Sequence, residues 1–374
     1  MSGICNCFFI IFAKYNQLNT HIKMKKKLLR LSLFCLVGMM ILSSCKKEFT
    51  ITVQSNNEEW GTVLGGGIYT EGAAISIEAK ANKGCQFVSW QDGNTDNPRT
   101  ITVKSDETYV AIFTSWNQDV FFSVSATQKV YFSSGNLQWS AVGSHAVADG
   151  GTAAGTWRFA PHQWDTIGAN NSNISSTYTG WIDLFCWGTS GYNGIDPYDT
   201  YIPDTAYGSA AYNITGTYFD WGIYNAINNP ITNTTDAPGT WRALTYDEWN
   251  YLLNFRNTSS GVRYAYGVVM GISGLIIVPD NWSTSTYQLN QINKGSTFTS
   301  NTIDIKDWVK MEAEGCVFLP AAGDRGGTVV YSVISFGSYW STSGYYLAFT
   351  SDFIGQGCCD RTVGQAVRLV RDVK

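Results

Sequence analysis

The sequence predicts a mainly β protein of the α+β class, with a small all-β module followed by a larger β-rich domain holding few helices. Three observations predict it. The 374 residues include 14 Trp, 21 Tyr, 19 Phe and 37 Gly against 8 Pro, a composition of strands joined by turns. Apolar residues alternate with polar ones over short runs, as half-buried strands require. Helical periodicity surfaces at only two places, after Thr245 and around Ile305 to Glu312.

Composition also excludes classes. With 44% hydrophobic and 14% charged residues, the chain is not a disordered one. The net charge of −4 hides an asymmetry: residues 1–44 hold six Lys/Arg and no acid, leaving 19 basic and 29 acidic groups in the rest, net −10. An acidic body repels phosphate backbones, so no nucleic-acid partner is expected. Three histidines make a His-rich metal site unexpected. No metal and no cofactor is expected.

The first element is an export segment. Met24-Lys25-Lys26-Lys27-Leu28-Leu29-Arg30 is a basic start, and the apolar run Leu31 to Leu42 after it is too short to span a bilayer. Leu42-Ser43-Ser44-Cys45 follows, and it resembles a bacterial lipobox. That resemblance implies cleavage before Cys45 and lipid on its thiol. Residues 1–23 then read as an upstream extension and 24–44 as a lipoprotein signal peptide. The expectation is an exported protein, lipid-anchored to the outer membrane and displayed at the cell surface. Six cysteines remain after processing: Cys45, Cys85, Cys186, Cys316, Cys358 and Cys359. Without a Cys-x-x-Cys pair, zinc-ribbon and thioredoxin readings fail, and so sparse a set is no disulfide scaffold. Cys85, Cys186 and Cys316 sit in apolar contexts and are expected to be buried.

The second element, residues 45–115, reads as strands. Phe49, Ile51 and Val53 alternate with polar residues, as do Ile75, Ile77 and Ala79, and Ile101 and Val103. Phe87, Val88 and Trp90, and Val110 to Phe113, are further runs. Gly65-Gly66-Gly67, Asp92-Gly93-Asn94 and Asp96-Asn97-Pro98 supply turns. Gly61-Thr62-Val63, Glu71-Gly72, Gly84 to Trp90 and Ala111-Ile112-Phe113 resemble the divergent internalin-type B-repeat family. The resemblance implies an extracellular spacer or adhesion module rather than a catalyst. A single copy is no solenoid.

The third element, residues 116–374, is aromatic-rich strand and Gly/Asn/Ser/Thr loop with one clear helix start. Thr245 can cap it, Glu248 closes a capping box, and Leu244 with Trp249 forms a hydrophobic staple. Trp249, Leu252 and Leu253 give the buried stripe of a helix ending near Arg256. Trp241 to Trp249 is similar to the helix start of C-type-lectin-like folds of the formylglycine-generating-enzyme branch. Gly315 to Gly323, Ser338-Tyr339-Trp340-Ser341-Thr342-Ser343 and Ala366-Val367-Arg368-Leu369-Val370 continue the resemblance in the same order. It implies a C-type-lectin-like ligand-binding domain, in which the Trp340 strand and the closing strand with Leu369 are rigid core. Some relatives of this kind are targets of diversity-generating retroelements.

Catalysis by such a fold uses two C-terminal cysteines separated by several residues, whereas Cys358 and Cys359 are adjacent, so no enzyme activity is expected. No Ser/His/Asp set is apparent, and His145 and His162 read as surface or packing residues. The calcium-lectin tripeptides Glu-Pro-Asn, Gln-Pro-Asp and Trp-Asn-Asp are missing. Asp196, Asp199 and Asp204 read as turn residues beside Gly194, Pro197 and Pro203 rather than calcium ligands. No phosphate-loop pattern occurs, and Asp324-Arg325-Gly326-Gly327 reads as a turn.

The segment Ser343 to Val363 shows no coherent periodicity, and unruly residues fill the slot that diversified relatives vary. Adenine replacement cannot turn an Asn codon into Lys, Glu, Gln, Met or Trp, and only Gln356 in this stretch falls outside the reachable set. Tyr supplies contact area at low entropy cost. Tyr345, Tyr346, Asp352, Phe353, Ile354, Cys358, Cys359, Asp360 and Thr362 are the candidate ligand contacts, expected on an exposed surface. The expected function is a surface-anchored lipoprotein that binds an extracellular protein or glycan through this face, for adhesion or recognition. A formylglycine-generating-like enzyme and a structural component of a surface assembly remain as alternatives.

Overall fold

The computed structural model describes residues 23–25, 47–115, 120–210, 212–358 and 360–374. Cys45, most of the export segment and Cys359 lie outside the described residues. The molecule is mainly β, with several separate sheets. Among the described residues no helix is long and apolar enough to cross a membrane.

The alternating and apolar runs of the first stretch become strands β1 (Glu48–Ser55), β4 (Ala74–Ala81), β5 (Cys85–Trp90), β6 (Arg99–Thr102) and β7 (Glu107–Ser115), and two strands outside those runs, β2 (Gly61–Leu64) and β3 (Gly67–Thr70), lie between β1 and β4 in the chain. The described residues fall into two compact units. The smaller contains 47–52, 65–76 and 100–108, and the larger contains 53–64, 77–99 and the described residues from 109 onward. In the smaller unit Glu48–Ile51 pair antiparallel with Gly67–Thr70, and the Thr50 amide donates to Asp106 Oδ1 at 2.7 Å.

In the larger unit β2 pairs with the end of β4, and β5 with β7. Gly93 turns the chain after β5 with φ of 83°, a conformation that glycine adopts without strain. The chain then forms β8 (Phe122–Ser123), β9 (Lys129–Phe132), β10 (Leu137–Ala146), β11 (Thr152–Phe159), α1 (Trp221–Tyr224), β12 (Ile227–Asn229), β13 (Thr234–Asp236) and β14 (Arg242–Ala243). Next come α2 (Tyr246–Asn250), β15 (Tyr264–Val269), β16 (Ile272–Ile277), β17 (Thr302–Ile303), α3 (Ile305–Ala313), β18 (Val317–Pro320), β19 (Asp324–Gly326) and β20 (Val329–Tyr331). The chain ends with β21 (Gly337–Trp340), β22 (Tyr345–Phe349), β23 (Ile354–Cys358), β24 (Val363–Gly364) and β25 (Leu369–Asp372). Their sheets run in the orders β10-β11-β12-β13, β14-β25-β9-β8, β17-β15-β16-β18, β20-β19-β24 and β21-β22-β23.

Two large apolar clusters fill this unit. One joins Phe132, Leu244, Trp249, Leu252, Leu275, Leu319, Tyr339, Leu347 and Phe349. The other joins Trp139, Trp157, Trp187, Trp221, Trp340 and Leu369. A smaller cluster packs Val88 of β5 and Ile112 of β7 against Val309 of α3. Beside it the Thr114 hydroxyl donates to Glu312 Oε2.

The capping box forms as its spacing requires. Thr245 Oγ1 accepts from the Glu248 amide at 3.2 Å, and Glu248 Oε2 accepts from the Thr245 amide at 2.8 Å. After one turn α2 widens into a π turn, Tyr251–Phe255, that stops at Arg256. The buried Arg256 side chain explains the stop, because it donates to the carbonyls of Leu252, Val278 and Arg263 and to Asp280. Helix α3 is capped by Asp304, which accepts from the Asp307 amide at 3.0 Å.

Two expectations are corrected. Asp324 to Gly326 is a strand rather than a turn, and the turn lies at Gly327 and Thr328. Arg325 is fully buried and donates through Nη2 to the Leu184 carbonyl at 3.1 Å. That long-range partner outweighs the local turn chemistry. Cys186 and Cys316 are buried as expected, but Cys85 is only half-buried.

Replacing Thr245 by Ala removes one acceptor from the start of α2. The expected loss in stability is about 1 kcal/mol, read as a lowered midpoint in thermal melts. An unchanged midpoint would show that the cap does not hold this helix.

Candidate ligand-binding site

The candidate contacts are built on a hairpin, not a loop. β22 pairs antiparallel with β21 on one side and with β23 on the other, in the register Tyr345↔Cys358 through Phe349↔Ile354. The sequence conceals a strand because both of its faces are covered by apolar residues, so no polar–apolar alternation shows. Leu347 and Phe349 are fully buried in the first large cluster, and Ile354 packs against it. Ala348 is also buried. The expected exposure is therefore corrected: of the candidate contacts Tyr346, Ile354 and Thr362 are half-buried, and Leu347, Ala348 and Phe349 between them are buried. An apolar residue at every second site of β22 anchors the strand in the core.

The hairpin is held at its base. Trp340 Nε1 donates to the Phe185 carbonyl at 2.7 Å, and Trp187 Nε1 donates to the Ser341 carbonyl at 2.8 Å. Trp340 and Leu369 are buried, as the framework reading requires. At the tip the Tyr266 hydroxyl donates to the Phe353 carbonyl.

The structure divides the candidate residues between two ends. Four steps of extended chain, about 13 Å, separate Tyr345 from Phe349. Near the base lie Tyr345, Tyr346, Cys358, Asp360 and Thr362; near the tip lie Asp352, Phe353 and Ile354. Tyr345 is 44% exposed, and its ring meets that of Tyr246 edge-on at 5.1 Å. Tyr346 turns the other way and meets the Trp340 ring at 6.0 Å. Phe353 is 52% exposed. Asp352 Oδ1 accepts from the Thr350 hydroxyl at 3.0 Å. The Asp360 carboxylate accepts from the Thr362 amide and hydroxyl, which hold it below its usual range. Cys358 is exposed, and Cys359 lies outside the described residues.

Residues that the sequence reading did not single out complete the face. Arg361 lies over the Trp187 ring at 4.7 Å and near the Tyr212 ring at 5.4 Å, with Nη1 on Asp204 at 3.0 Å. Tyr212 is 78% exposed. A groove of about 120 Å³ lies beside β23 and is lined by Tyr246, Asn250, Asn254, Ile354, Gly355 and Gln356. Gln356 Nε2 donates to the Tyr246 carbonyl at 2.9 Å. Tyr246 was legible as a helix residue, but its approach to Tyr345 comes from packing distant in sequence.

The remaining chemistry-bearing residues are engaged locally. His145 hydrogen-bonds the Gly155 carbonyl at 2.9 Å and Asn225 Oδ1 at 2.7 Å. His162 hydrogen-bonds Asp165 at 3.1 Å and stacks on Trp164. The Asp196 amide donates to Asp199, and Asp204 pairs with Arg361. Among the described residues no group of three or more His, Cys, Asp or Glu could hold a metal ion.

No curated protein and no solved structure matches the chain. Residues 51–117, which contain most of β1 and all of β2 to β7, match the family described as the divergent InlB B-repeat domain.

Proposed function

We propose that the chain is a lipid-anchored surface protein that binds an extracellular protein or glycan through the β22–β23 face of a C-type-lectin-like domain spanning 116–374. One observation carries this reading. The hairpin buries Leu347 and Phe349 while leaving Tyr345 and Phe353 about half exposed. Aromatic side chains displayed on a rigid support are what a binding surface needs, because little ordering entropy is lost on contact. The repeat match at 51–117 supports a surface or adhesion role. Retroelement diversification would act on positions such as Tyr345, Phe353 and Asp360, which can change without opening the core.

Three outcomes are expected. Replacing Cys45 by Ala should move the protein from the detergent phase to the aqueous phase, since a second or third acyl chain deepens anchoring by about 0.8 kcal/mol per buried CH₂. Continued detergent partitioning would exclude this anchor. Changing Tyr345 to Ala, Phe353 to Ser and Asp360 to Asn together should shift stability by only about 0.5 kcal/mol per exposed site. Adhesion of expressing cells to arrayed extracellular proteins and glycans should fall at least tenfold, because few anchors dominate an interface (about 2 kcal/mol or more each). Unchanged adhesion or a collapsed fold would overturn the surface reading. Finally, sequencing the neighbouring DNA should find a reverse transcriptase gene and a near-copy of the codons for 340–370. An isolated gene would remove the diversification proposal.

A further inference from the structure

We propose that the outer edge of β23 accepts an extended peptide as an added antiparallel strand, with basic residues bracketing the paired stretch. This rests on the reading of the face as a ligand surface and names the chemistry of the ligand.

Backbone parity decides which groups are on offer. The Ser341 amide donates to the Tyr345 carbonyl at 2.8 Å, so Tyr345, Leu347 and Phe349 occupy the bonded positions against β21. The Thr350 amide donates to the Phe353 carbonyl at 2.9 Å, so Ala348 and Tyr346 occupy the bonded positions against Gly355 and Gly357. Antiparallel ladders alternate in this way. Ile354, Gln356 and Cys358 therefore turn their N–H and C=O groups away from β22, about 6.8 Å apart. β23 is the last strand of its sheet, and among the described residues no strand pairs with its outer side. Edges are ordinarily blunted by Lys, Pro or a bulge. Ile354-Gly355-Gln356-Gly357-Cys358 carries none of these. The groove against α2 runs beside this edge, and in it the buried Oε1 of Gln356 has no hydrogen-bond partner among the described residues.

Charge selects the occupant. A second copy pairing antiparallel about Gln356 would bring the Asp352 end of each β23 toward the Asp360 end of the other. Like charges directly opposite are destabilising, and the chain after residue 44 is net −10. Both aspartates are exposed. At the Asp352 end the neighbouring base is the exposed Lys294, beside the Gly295 that packs on the Asp352 carbonyl. At the Asp360 end Arg361 is held by Asp204. A foreign strand with Lys or Arg spaced as Asp352 and Asp360 are would meet acid at both ends. Strand addition of this kind draws affinity from main-chain hydrogen bonds and specificity from flanking side chains.

The probe is a nine-residue peptide of alternating Thr and Val with Lys at its first and ninth positions. It is titrated into the full chain in detergent and followed by fluorescence anisotropy. Two further peptides carry N-methyl groups on alternate residues, in the two complementary phases. The unmethylated peptide should bind below about 1 mM. One methylated phase should bind as well, and the other at least roughly tenfold more weakly, since its blocked amides face β23. Asp352→Asn with Asp360→Asn should weaken binding about fivefold or more. A folded Gln356→Pro variant, which loses the outward-facing amide, should not bind the peptide. No binding at about 1 mM, or equal binding of the two methylated phases, overturns strand addition. So does a dimer in sedimentation that Gln356→Pro abolishes, because the edge would then serve a second copy. If the Tyr345, Phe353 and Asp360 variant loses adhesion while the two phases bind equally, the surface stands and strand addition fails. If that variant keeps adhesion, the surface reading itself fails.

Discussion

The buried guanidinium of Arg368 lies at the centre of a polar network inside the larger unit. An unpaired charge in an apolar interior costs several kcal/mol, so its surroundings must supply acceptors. Nη2 donates to Gln163 Oε1 at 2.7 Å, and Nη1 donates to Asn136 Oδ1 at 3.4 Å. Burial lowers the Arg368 pKa to about 10, still above neutrality, so the charge remains. Gln163 also accepts from the Phe318 amide at 2.8 Å and donates to Glu312 at 2.9 Å. Asn136 donates to the Tyr339 hydroxyl at 3.1 Å, which donates to the Pro320 carbonyl at 2.8 Å. The closing strand, α3, β18 and β21 are thereby held in one register around a single cation.

The same network reaches the end of the repeat-like stretch, because Glu312 also accepts from the Thr114 hydroxyl. Burial raises the Glu312 pKa, while the hydrogen bonds from Thr114 and Gln163 oppose that shift. Beside this contact Val88 and Ile112 meet Val309. Polar satisfaction and apolar packing thus act at one junction, which favours a fixed rather than a freely hinged attachment of β5 and β7 to α3.

The hairpin inherits its rigidity from this framework. Its base is pinned by two tryptophan indoles that donate to carbonyls distant in sequence. Its glycines have a related role. A Cβ at Gly357 would come within 2.8 Å of the Tyr346 ring, and one at Gly355 within 2.8 Å of the Phe353 ring. Side chains at those sites would displace the rings, so the bareness of β23 accommodates aromatics and leaves a slender outer strand.

By itself the sequence determined the elements whose causes are local. Alternation located β1, β4 and β6, because one buried face demands period two, and apolar runs located β5 and β7. The Thr245 and Glu248 spacing located α2, because a capping box closes within one turn. The five sheets formed by β8 to β25, with the hairpin in one of them, were not legible, because their register depends on partners far along the chain. Arg325 shows this in miniature: its neighbours read as a turn until the Leu184 carbonyl captures it. Ser343 to Val363 shows it at the candidate site. Its strand pattern is masked by Ala348 buried on one face and by glycines that serve neighbouring rings. Only tertiary packing decided that Tyr345 faces Tyr246, that Tyr346 faces Trp340 and that β23 lies at an edge, because each of these needs surfaces brought together from separate parts of the chain.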